Sequence, residues 1–240
     1  MKEPVLIIGG GPAGMSLALA LRRNGIMSRI VDARPRGAAK ADARILALSH
    51  GSRLILEDLG IWHDIPHTPI ETIHVSHAGG LGRTVMRAAE EGVAALGYVL
   101  AAGDLAAALD AALGDIPYQD DTVAPQHPEA LLTVHAEGRI ADDDDLITRD
   151  SGQHAVICLA RSARPHERIA WERFTPAGPV ALLPFCTGYA VVLTCPAEDS
   201  ERIAALDDAA FLALLAERFG PREKLCAVGP RRVYPLGLRM

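Results

Sequence analysis

Glycines at positions 9, 11 and 14, and a carboxylate at position 32, are the residues whose types and spacing most directly suggest chemistry. In the string GGGPAG, Gly9 permits a tight turn, Gly11 lets the backbone approach a pyrophosphate, and Gly14 lets the next helix pack close to the preceding strand. Pro12 and Ala13 complete the turn, so residues 9–14 form a candidate phosphate cradle. A helix beginning there offers unpaired N–H groups and about half a positive charge to the phosphates. Asp32 lies 18 residues beyond Gly14, where its carboxylate can accept a ribose hydroxyl pair. An acid rather than an arginine at that point favours FAD or NAD over NADP.

The elements that must position these residues are readable around them. Residues 5–8 (VLII) predict a strand buried on both faces, residues 15–23 a helix stopped by Asn24 and Gly25, and residues 28–31 a second strand ending at Asp32. A glycine turn that serves packing alone does not need this strand, turn, helix, strand and acid in order. Residues 35–42 read as a loop, and residues 44–48 lead into a helix with Ser49 as cap, Leu54, Ile55 and Leu59 on its apolar side and Gly60 at its stop. Short strands are expected at 73–76 and 83–87, and a helix at 103–113 capped by Asp104 and ended by Gly114. From His154 the pattern changes to four successive strands, 154–161, 168–174, 180–184 and 189–195, which predict an antiparallel sheet, followed by a helix at 207–219. The chain is therefore expected to be α/β, a nucleotide-binding part joined to a sheet-rich part.

Composition narrows the function. Hydrophobic residues are 49% of the 240 and charged residues 22%, which argues for a folded chain. A net charge of -6, from 24 basic and 30 acidic residues, argues against a nucleic-acid partner. Cys158, Cys186, Cys195 and Cys226 contain no CxxC pair, so reduced thiols are expected and no metal site. Pro66 separates His63 from His67, and His74 and His77 read as surface or packing residues. The acidic run at 142–145 reads as a solvated loop. The N-terminus has no signal-peptide pattern, and glycines break the uncharged stretch at 5–21, so neither export nor a membrane span is expected and the location is cytoplasmic.

Longer strings carry a family likeness. GGGPAG at 9–14, ARILALSHGSRLILEDLGIW at 43–62, PIETIHVS at 69–76, LGYVL at 96–100, GQHAVICLAR at 152–161, PHERIAWERFTPAGPVALLPF at 165–185 and RRVYPLGLR at 231–239 resemble, in this order, the flavin-dependent hydroxylases of ubiquinone biosynthesis. The likeness is to the 2-octaprenyl-6-methoxyphenol hydroxylase type, within the para-hydroxybenzoate hydroxylase fold class. It implies a Rossmann-like FAD-binding domain of the glutathione-reductase type (residues 1–70 and 99–150) interleaved with an antiparallel β-sheet substrate domain (71–98 and 151–240). It also implies FAD as cofactor, with Asp32 on the adenosine ribose, Arg44 approaching the cofactor, and Glu137 and Gly138 standing for a second flavin motif that usually has Asp before Gly. Trp171, Arg173, Phe174, Leu183 and Pro184 match the substrate-side segment; strand alternation alone leaves open whether the apolar ones line a pocket or are sheet core.

The chemistry implied is aromatic-ring monooxygenation. NAD(P)H reduces the flavin, O2 forms a flavin hydroperoxide, and oxygen passes to a prenylated phenol. Such a substrate implies peripheral contact with the inner membrane or a partner complex. A third flavin motif, Gly-Asp or Gly-Asn, is expected just past the last matching string and is absent from the sequence, as in a truncated chain or a natural remnant with impaired flavin binding. The same opening unit also serves flavin-dependent dehydrogenases and reductases, and a truncated non-catalytic flavin-fold protein is a further alternative.

Overall fold

The computed structural model describes residues 3–80, 82–124, 129–138 and 148–239; the acidic run at 142–145 lies outside them. In chain order the strands are β1 (Glu3–Ile8), β2 (Ser28–Val31), β3 (Ile45–Ser49), β4 (Thr68–Ile70), β5 (Thr72–His77), β6 (Arg83–Arg87), β7 (Gly97–Ala101), β8 (Tyr118–Gln119), β9 (Ala130–His135), β10 (Thr148–Ser162), β11 (Ile169–Phe174), β12 (Val180–Phe185), β13 (Gly188–Pro196), β14 (Leu225–Val228) and β15 (Arg232–Arg239). The α-helices are α1 (Pro12–Arg23), α2 (His50–Asp58), α3 (Ala102–Leu113), α4 (Ser200–Ala204) and α5 (Asp208–Phe219). Two compact units share the chain, one of residues 1–66 and 100–143, the other of 67–99 and 144–240.

The first unit is built on a four-stranded parallel sheet in the order β8-β2-β1-β9. Parallel strands need crossovers, and α1 supplies the one between β1 and β2. Its Met15, Ala18 and Leu19 are buried, as are Leu6, Ile7 and Ile30 of the strands and Leu105, Leu109 and Leu113 of α3. The runs VLII and RIV lack polar alternation because both sheet faces are covered. Asn24 closes α1, with its N–H on the carbonyls of Ala20 and Leu21, and Gly25 follows at φ +72°.

The second unit holds a larger sheet in the order β14-β10-β13-β12-β11-β5-β6, with β15 also on β10. It is antiparallel except where β11 runs parallel to β5, at Ala170↔Ile73 and Trp171↔His74. Of the four strands from His154 onward, β11, β12 and β13 are neighbours in chain order, whereas β10 pairs with β13 rather than β11. One face of this sheet is covered by helix. Val156, Cys158, Leu182, Tyr189, Val191 and Leu193 pack with Ile203 of α4 and Phe211, Leu215 and Phe219 of α5. Asp207 caps α5, its carboxylate accepting from the Ala210 N–H at 2.8 Å.

Candidate functional site

The glycine turn leaves β1 and enters α1. Gly9 donates its N–H to the Val31 carbonyl (2.8 Å), and Ala136 donates to Ile8 (2.7 Å), so the ends of β2 and β9 flank the turn. Gly9 has φ +107°, and a Cβ on it would stand 2.5 Å from the Ala136 carbonyl carbon. A Cβ on Gly14 would stand 1.9 Å from the Gly9 oxygen, and one on Gly10 1.8 Å from the Tyr118 hydroxyl. These glycines are demanded by neighbouring protein atoms. Gly11 is not: a Cβ there would meet nothing within 4 Å, and its φ of -78° suits any residue. Gly11 is the N-cap of α1, without a side-chain capping bond. The first-turn N–H groups are thus left to an outside acceptor. An open cradle at this glycine, beside glycines held against Ala136, Tyr118 and one another, fits a pyrophosphate.

Asp32 follows β2 and is buried (6% exposed). Its Oδ2 accepts from the Gly10 N–H (2.6 Å) and the Arg34 Nη2 (3.1 Å), and its Oδ1 from the Arg34 N–H (2.8 Å) and Nε (3.2 Å). Burial pushes its pKa up, but the hydrogen bonds from Arg34 and Gly10 and the Arg34 charge outweigh that and hold it below the usual carboxylate value. The carboxylate therefore stays ionised. These four bonds use the four acceptor sites of a carboxylate, so a ribose hydroxyl would have to displace the half-exposed Arg34 guanidinium.

The other expected cofactor residues divide. Glu137 and Gly138 come directly beside the glycine turn, a juxtaposition made by the β1–β9 register Ile7↔Val134 and Ile8↔His135. Glu137 receives His135 Nδ1 at 3.1 Å. Arg44 accepts from Ala102 N–H through its carbonyl (2.9 Å), while its guanidinium lies on Asp42, with Nε 3.0 Å from Oδ1.

Sequence reasoning missed Tyr118, Arg34 and Asp110. Tyr118 stands under Gly10 from a two-residue strand too short to show a pattern; burial, then the nearby Asp32 charge, push its hydroxyl up to about 12. Asp110 of α3 clamps the loop after β2 through Arg36 (2.7 Å) and Lys40 (2.6 Å). Burial raises the Asp110 pKa, yet these two cations bring it below its ordinary value.

The five residues expected on the substrate side are divided between the two faces of the sheet. Pairings Trp171↔Leu182, Arg173↔Val180 and Pro184↔Tyr189 put Trp171, Arg173 and Pro184 on the helix-covered face, since paired residues share a side. Trp171 meets the Phe219 ring edge-on at 6.2 Å. Phe174 and Leu183 have the opposite parity. They lie on the other face, where Leu183, Ala190 and Leu159 form a cross-strand row and Phe174 stacks on His77 at 5.1 Å. Among the described residues no group of three or more His, Cys, Asp or Glu is placed to hold a metal.

A parallel sheet whose first strand ends in this cradle, with an acid at the tip of the second, defines a dinucleotide-binding α/β protein. The chain belongs to the FAD binding domain family, whose model matches residues 2–141. It is 29% identical over 267 residues to the ubiquinone hydroxylase UbiL of Rhodospirillum rubrum, and 27% identical over 269 residues to an uncharacterized protein of Synechocystis. Each alignment takes in 98% of this chain but only 62% and 64% of those relatives' length. Its fold is shared with PqsL of P. aeruginosa, solved in complex with 2-aminobenzoylacetate, at a TM-score of 0.70 and 17% identity over 94% of this chain and 73% of that one. Together these place the chain in the fold of flavoprotein monooxygenases.

Proposed function

We propose that this chain binds FAD in its first unit and serves an aromatic-ring monooxygenase that hydroxylates a prenylated phenol, with NAD(P)H as electron donor. The observation that carries the reading is the Gly11 cradle, open to a ligand while protein atoms press on Gly9, Gly10 and Gly14. The α1 N-terminus would hold the pyrophosphate, Asp32 the adenosine ribose once Arg34 is displaced, and the backbone around Glu137 and Gly138 would flank the cofactor. Arg44 would leave Asp42 to reach it. When bound, FAD supplies the redox and oxygen-transfer chemistry. The protein's part is to position the ring and exclude water.

A ring with a hydrocarbon tail needs an apolar wall. The helix-free sheet face offers Phe174, Leu183, Phe185 and Leu159, of which Phe174 and Leu159 are 39% and 46% exposed. The name of the Rhodospirillum relative supports a quinone-type ring. No helix among the described residues is long and apolar enough to cross a membrane. A bilayer-resident substrate would be met by peripheral contact or through a partner complex.

The test is to reduce FAD-loaded protein anaerobically with NADH or NADPH, then admit oxygen with a short-chain prenylated phenol. Hydroxylated product is expected, and Asp32→Ala should diminish it through lost flavin. Peroxide alone from fully loaded protein would assign an oxidase or reductase instead, and failure to take up FAD would remove the reading altogether.

A further inference from the structure

A second cluster with binding chemistry lies on the helix-covered face of the larger sheet, at its β6 edge. The register places Arg83, Ser76 and Arg173 in one cross-strand row and Val85, His74 and Trp171 in the next. The turn after α5 adds Arg222, whose Nη1 lies 2.7 Å from His74 Nε2. Gly220 of the same turn stands against the Arg173 guanidinium, since a Cβ on it would be 3.9 Å from Cζ.

A guanidinium only donates, so His74 Nε2 accepts and Nδ1 carries the hydrogen. His74 is buried (6% exposed), and its Nδ1 has no hydrogen-bond partner among the described residues; the buried Nε of Arg173 has none either. Burial and then the Arg222 charge depress the His74 pKa; its own backbone opposes them, and the Arg83 charge adds a lesser lowering. No ion pair is formed by Arg83, Arg173 or Arg222 among the described residues. Glu223, the acid of the same turn, is engaged with the Ser162 hydroxyl at 3.1 Å. Like charges gathered on neighbouring strands are destabilising unless neutralised, and half-buried unpaired N–H groups cost free energy until they find an acceptor.

We propose that Arg83, Arg173, Arg222 and the Nδ1–H of His74 form a binding site for a phosphate-type anion. Arg222 and Arg83 are exposed, so the site is reachable from solvent. It is independent of the flavin reading, because every residue lies in the second unit.

The experiment follows the His74 ring by NMR while inorganic phosphate replaces chloride at constant ionic strength. A saturable shift is expected, with the His74 pKa moving up as the anion offsets the arginines. Arg222→Gln and Arg173→Gln should each weaken phosphate binding about tenfold or more, with near-ultraviolet circular dichroism unchanged to show that they fold; Arg222, being exposed, guards against collapse of the other variant. Vesicles of phosphatidylglycerol with phosphatidylcholine, against phosphatidylcholine alone, separate the sources. Retention on the anionic vesicles that Arg222→Gln abolishes assigns a lipid headgroup, and phosphate binding without retention assigns a soluble phosphate. The proposal is overturned if neither probe gives saturable binding, or if both variants bind as the natural chain does.

Discussion

Gly11 and Gly14 differ in what a side chain would strike, and that separates folding from binding at residue resolution. Gly14→Ala forces a methyl group into the Gly9 carbonyl, so a loss of about 1–3 kcal/mol or more is expected in a urea titration. The Cβ of Gly11→Val meets no protein atom within 4 Å, and stability should fall by no more than about 1 kcal/mol while FAD affinity drops at least tenfold in a fluorescence titration. Equal affinity in Gly11→Val and the natural chain would place the phosphates elsewhere. Asp32 gives a pH signature. Its folded-state pKa lies below its unfolded value of about 3.9, so the stability it contributes is complete above that value and lost as pH falls through the depressed one. Asp32→Asn should cost about 1.5–3 kcal/mol at pH 7, where the charge-assisted bonds from Gly10 and Arg34 are lost, and the deficit should shrink toward pH 3. Urea midpoints measured across that range decide it; a pH-independent deficit would mean the carboxylate's charge plays no part.

At the scale of elements, the side a strand residue takes is legible, but what covers that side is not. Alternation in AWERF and ALLPF separates Trp171 and Arg173 from Phe174, yet only the placement of α5, thirty and more residues later, makes the Trp171 side the core. Trp171→Ala should therefore destabilise by about 3 kcal/mol, and Phe174→Ala by less than about 1, with the latter weakening turnover of a prenylated phenol. The reverse order of denaturant midpoints would mean that the faces are misassigned. Elements marked by side-chain chemistry were readable: β2 has the bounds the sequence predicts, Ser49 caps α2 by accepting from Ser52 N–H, and α5 runs to Phe219 as expected, with Asp207 as its cap rather than its first residue. Asp104 was expected to cap α3, but that helix starts earlier, with Ala101 at its N-cap and Asp104 inside the first turn. A Cβ on Gly103 would stand 2.5 Å from the Lys40 carbonyl oxygen, so the loop after β2 packs closely on this first turn, a tertiary contact with no local signal. The parallel β5–β11 pairing was likewise invisible, because it joins segments nearly a hundred residues apart.

For the whole molecule, the cradle depends on long-range assembly. The turn at Gly9 is walled by Ala136, and Gly10 by Tyr118, so the strand-turn-helix unit alone does not complete the site. β9 must first dock beside β1, and β8 beside β2. A ligand that binds only this assembled form stabilises it by mass action, by about 2.7 kcal/mol at a hundred times its Kd. FAD at that excess should raise the thermal midpoint of the first unit, and hydrogen exchange should slow at residues 9–14, 32–34 and 136–138. Amides at 189–195, in the centre of the other sheet, should be protected equally with and without FAD if the two units open independently. Protection confined to 9–14 would mean that β9 contributes no cofactor contact, and Glu137 and Gly138 would leave the site; matching protection in both sheets would mean that the units unfold as one.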